Sequence, residues 1–181
     1  MSQSYYYLVA SLPSLQYGIK APFTLEDFLK DAQRLLTVGD FAQLQRAMEP
    51  YDEKTEPRNP LARSWHEFEH NLRNELAWFR AGKAQKDPLA YIRGQRAGES
   101  YLVNLVAEAA ELPNPLTAEQ LLDKARWQKL EELAAFHYFD LEVLIVYALR
   151  LQILERHQAI ETSKGQERYY EYKKIENPAL K

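Results

Sequence analysis

Along most of the chain, apolar residues recur at intervals of three and four, the period of an α-helix with one buried face. Thr24 followed by Leu25, Glu26 and Asp27 has the form of a helix N-cap with acids in the first turn. Phe28, Leu29, Ala32, Leu35 and Leu36 then supply the apolar face. Gly39 is expected to end that helix and Asp40 to cap a shorter one from Phe41 to about Met48. The stretch Pro50 to Pro60 holds three prolines, which lack the amide hydrogen a helix interior needs, so it reads as a connection. Ser64 with Glu67 suggests a capping box opening a helix to about Gly82, whose stripe is Trp65, Phe68, Leu72, Leu76 and Phe79.

A short helix from Pro88 through Ile92 is predicted next, then a turn between Gly94 and Gly98. A helix from Glu99 to Leu112 stops at Pro113 and Pro115. Thr117 and Gln120 suggest a second capping box for a helix reaching about Phe136, with Leu121, Leu122, Ala125, Leu130, Leu133 and Ala134 facing inward. Asp140 would cap the last strong element, Leu141 to Leu154, which is apolar nearly all round and so should be surrounded by neighbours. Within it, Arg150 is either a buried ion-pair partner or a surface residue lying along apolar neighbours. Tyr5, Tyr6, Tyr7, Leu8 and Val9 have strand-like composition but no evident partner strand, so this segment is read as helical or extended, with helix preferred. The tail from Lys164 to Lys181 is too polar to assign beyond a helical turn or an ordered strand.

These elements predict an all-α fold: a multi-helix bundle of about six or seven helices. An N-terminal helical segment (1–49), a proline-rich connection (50–63) and a main bundle (64–181) would together form one compact domain. Composition changes this picture little. Apolar residues make up 46% and charged residues 27%, as in ordinary folded chains, and a formal net charge of -3 does not favour nucleic acid as a partner. The absence of cysteine excludes disulfides, thiolate catalysis and cysteine-bound metal, and fits a reducing cytoplasm. The N-terminus lacks the basic start and apolar core of a signal peptide, and the run from Leu141 is too short to span a bilayer. A cytoplasmic chain is expected, meeting the membrane only through a partner.

One short stretch suggests chemistry. His66-Glu67-Phe68-Glu69-His70 has the letters of the H-E-x-x-H zinc-peptidase motif, and residues four apart on a helix lie about 40° apart, so both imidazoles share one side, away from the Trp65 stripe and facing solvent or a second packing surface. A zinc-dependent hydrolase would use them as ligands, with Glu67 activating a bound water. No third ligand follows His70 at the expected distance, and Glu67 already has a capping role available. The preferred expectation is therefore an exposed helical histidine pair, with no metal, no cofactor and no catalytic residue. A ferritin-like dimetal site is weaker still, because Glu67 and His70 supply one Glu-x-x-His element and no second is found. Nor is the turn Gly94-Gln95-Arg96-Ala97-Gly98 a phosphate loop, since it does not end in Gly-Lys-Ser or Gly-Lys-Thr.

Several blocks together carry a resemblance: Tyr5 to Pro13, Pro22-Phe23 before Phe28-Leu29, Trp65-x-x-Phe68-Glu69-x-x-Leu72-Arg73-Asn74-Glu75-Leu76, and Tyr147 to Arg156. They resemble an uncharacterised bacterial family encoded in V-type (A/V-type) ATPase operons. More distantly the chain is similar to the socket component of that ATPase, a longer helical protein of three modules joining the central shaft to the membrane rotor ring. The resemblance implies a non-enzymatic component or assembly factor whose partners are central-shaft and rotor-ring subunits. Interfaces of this kind favour arginine and aromatic side chains. On a helical wheel Trp78 falls nearly opposite the Trp65 stripe, and Arg73, Asn74 and Trp78 are the expected partner-binding residues.

Overall fold

The run from Leu141 becomes helix α7 (Leu141–Glu161) and serves as the axis of the molecule. The computed structural model describes residues 3–50 and 56–161, so the heart of the proline-rich connection and the tail from Lys164 lie outside the described residues. Before α7 come α1 (Gln3–Ser11), α2 (Leu25–Leu35), α3 (Val38–Met48), α4 (Pro60–Lys83), α5 (Ser100–Glu111) and α6 (Pro115–Leu133). The fold is all-α, with seven α-helices among the described residues and a single 3-10 turn at Pro88–Ala90. The Tyr5-Tyr6-Tyr7 segment is helical, and the helix expected from Pro88 is only that turn.

Leu144, Ile145, Ala148, Leu151 and Leu154 of α7 are buried on one side, and Val146, Leu149 and Ile153 on others. This all-round burial follows from the packing. Helices α1, α2, α3, α4 and α6 all pack against α7, with α5 bridging α4 and α6. Phe28 and Ala32 of α2, Leu44 and Ala47 of α3, Leu72 of α4 and Leu130 of α6 all enter one continuous core. No described helix is long and apolar enough to cross a membrane.

The polar residues of α7 act as tethers, each to a different element. Glu142 accepts from the Asn59 amide at 2.9 Å, and Asn59 in turn caps α4 through the Ala62 amide hydrogen. The Tyr147 hydroxyl donates to the Pro13 carbonyl at 3.0 Å. Glu155 accepts the Leu25 amide hydrogen at 2.7 Å, placing a carboxylate at the positive end of α2. Arg150 lies on the Trp127 ring of α6 at 4.8 Å and reaches Glu131 at 3.9 Å, half-buried along an apolar neighbour with a loose ion pair at its tip.

Helix starts are the main departures from expectation. Thr24 forms the predicted cap, completed as a box by Asp27, and Asp140 accepts from the Val143 amide hydrogen as predicted. Gly39 does not end a helix, because Leu36 closes α2 and Thr37 already caps α3. The boxes expected at Ser64 and Thr117 lie inside helices that begin earlier. In both, an asparagine caps and a proline takes the first helical position: Asn59-Pro60 and Asn114-Pro115. Proline suits that position because its missing amide hydrogen would have no helical partner there.

Candidate functional sites

His66 and His70 do not form the expected exposed pair. His66 is buried at 3% exposure, and its Nε2 lies 3.1 Å from the Ala47 carbonyl at the end of α3. Burial holds its pKa below the usual 6.5, against the opposing effect of that carbonyl. His70 is half-buried, with Nε2 3.1 Å from the Asn74 amide nitrogen, while Glu67 is exposed. The physical reason is that α4 is covered on two sides, by the core and by α3. Among the described residues, the group of potential metal-binding side chains whose ligand atoms lie within 4.8 Å of one another is His137, Asp140 and Glu142. There His137 pairs with Asp140 at 2.6 Å, while Asp140 also caps α7 and Glu142 holds Asn59.

The three residues expected to meet a partner separate in the structure. Arg73 is exposed, with its Nε 3.5 Å from Glu69. Asn74, expected at the surface, is 4% exposed, because its amide pins the segment after the 3-10 turn: it donates to the Arg93 carbonyl at 2.8 Å and accepts from the Arg93 amide at 3.0 Å. Trp78 is half-buried beneath Arg96, whose guanidinium lies 4.4 Å from the ring centroid and also forks onto the buried Glu75. The face of α4 opposite the Trp65 stripe is therefore largely covered by the chain's own residues.

Exposed aromatic surface is found instead where α1 meets the turn between α6 and α7. Tyr6 and Tyr7 on α1 and Phe136, Tyr138 and Phe139 in that turn are exposed. Tyr6 and Phe139 lie 5.0 Å apart, and Tyr6 meets Tyr7 edge-on at 6.2 Å. Tyr5, on the same helix, turns inward; burial, followed by its hydrogen bond to Asp40, raises its pKa well above the usual tyrosine value. Phe136 is 91% exposed and has φ of 70°, the left-handed region that costs a residue with a Cβ atom roughly 1–2 kcal/mol. A bulky aromatic there gains no burial to offset the strain.

A second concentration of chemistry is buried between α4, α6 and α7. Asp123 is fully buried and is contacted by Arg126 Nη1 at 2.9 Å, by two nitrogens of Arg156, and by His157 Nε2 at 2.8 Å. Arg126 Nε donates to Glu69 at 2.6 Å, extending the chain of charges to Arg73. Burial opposes the charge of Arg126, but Glu69 and Asp123 outweigh it and raise the pKa above the usual arginine value. The Tyr17 hydroxyl donates to the Gln120 carbonyl at 2.6 Å, and burial together with nearby Asp123 pushes its pKa up to about 12. Sequence reading missed this network, although its signal is present. Glu69 stands next to Phe68 in the α4 stripe, and Asp123 and Arg126 stand among Leu122, Ala125 and Trp127, where an uncharged face would be expected.

Neither a curated protein nor a solved structure matches the chain. Residues 98–175, from the turn before α5 through α7 and past the described residues, match the model of a family described as "Protein of unknown function (DUF2764)".

Proposed function

We propose that this chain is a non-enzymatic helical adaptor that docks onto a V-type ATPase, at the level of its central shaft and rotor ring, as a component or assembly factor. The aromatic surface of Tyr6, Tyr7, Phe136, Tyr138 and Phe139 carries the reading. Exposed aromatic side chains, among which Tyr6 meets both Tyr7 and Phe139, favour a protein partner, since such side chains are enriched in the cores of interfaces. Phe136 adds weight, because a strained and exposed aromatic gives up stability that glycine would retain. The assignment to a V-type ATPase rests on the sequence resemblance. A body with one continuous core supports it as well, because a coupling element must be stiff.

Affinity purification of the tagged chain from its native cell should bring down shaft and ring subunits, identified by mass. Phe136→Gly should reduce that capture while leaving helix content unchanged and the melting temperature equal or higher. Absence of ATPase subunits from the purified material, or intact proton or sodium pumping after gene deletion, would remove the basis for this function.

A further inference from the structure

The cavity between α3, α4, α6 and α7, of about 130 Å³, is lined by His66, Glu69, Arg73, Arg126 and Arg156, with Met48 and Pro50 at the end of α3. Asp123 lies behind these side chains and does not line it. Among the described residues the charge count does not balance. Arg73, Arg126 and Arg156 supply three positive charges, while Glu69 and Asp123 supply two negative ones. Glu49, also at the cavity, is paired with Arg46. Guanidinium donors are also left over. Among the described residues none accepts from Arg126 Nη2, from either Nη of Arg73, or from Arg156 Nη1. Arg73 and Arg156 are partly solvated, and water can accept those hydrogen bonds without neutralising the excess.

We propose that this cavity is a binding site for a singly charged oxyanion group, with Arg73, Arg126 and Arg156 as its donors. One negative charge brings the count to zero, and an oxyanion offers several acceptor atoms to guanidiniums arriving from three helices. A metal cation is disfavoured by the same excess. The group has two chemical sources, a carboxylate or a phosphate monoanion. The cavity shares no residue with the aromatic surface, so the site stands or falls apart from the docking function.

Titration of the full chain with sodium acetate, sodium phosphate and sodium chloride at matched ionic strength, followed through the arginine Nε–H NMR signals, tests this. Saturable shifts of the Arg126 signal with acetate, with phosphate or with both, and none with chloride, are expected; the anion that saturates identifies the source. Arg73→Ala should weaken binding roughly tenfold, the worth of one charge-assisted hydrogen bond. Arg73 is exposed, so its loss leaves the fold intact, and Arg80→Ala, on an exposed part of α4 outside the cavity, should bind as the wild type does. Linear shifts with every salt, or equal affinity in the Arg73→Ala chain, would overturn the assignment.

Discussion

His66 shows how a side chain chosen for one chemistry serves another. It sits behind α3 as a neutral donor to the Ala47 carbonyl, where burial opposes its protonation. In the unfolded chain it returns to its usual pKa of 6.5, so its contribution to stability is complete above that value and is lost as pH falls below it. Wild type should therefore lose unfolding free energy relative to His66→Gln as pH drops from about 7 to 5, measured by urea titration. A constant difference across that range would show that His66 keeps its ordinary pKa in the fold. The letters of the zinc motif were legible in the sequence, but its surroundings were not. Local periodicity placed His66 away from the Trp65 stripe, and only the tertiary position of α3 buries it.

At the scale of the helix, the existence and type of every strong segment could be read from periodicity, because burial of one face fixes the spacing. Starts were harder, since Ser64 and Thr117 matched a cap pattern as well as the true caps did. The prolines that open α4 and α6 fit a connection or a helix stop equally well when only their neighbours in sequence are known. Helix α7 offers the sharpest energetic expectation, because Leu144 and Leu151 are fully buried. Leu144→Ala should cost about 2–5 kcal/mol in denaturant unfolding through the cavity it leaves. A loss below about 1 kcal/mol would mean that the helix repacks freely and is not the axis described. The tethers from Glu142, Tyr147 and Glu155 were illegible in the sequence, because their partners lie far away along the chain.

For the whole molecule, the N-terminal helices and the later ones share one core, since α1, α2 and α3 all pack on α7. Far-UV circular dichroism and tryptophan fluorescence should therefore report one coincident unfolding transition in urea. The tryptophans lie only in α4 and α6, so two separated midpoints would mean that the first three helices melt on their own. This same arrangement sets an order of events during synthesis. Phe28 and Leu44 emerge from the ribosome well before Leu144 and Leu151, and at roughly 5–20 residues per second the wait is about 5–25 s. For that interval α2 and α3 display apolar faces whose helical partner has yet to be translated, so chaperone occupancy on nascent chains should end only once α7 has cleared the exit tunnel.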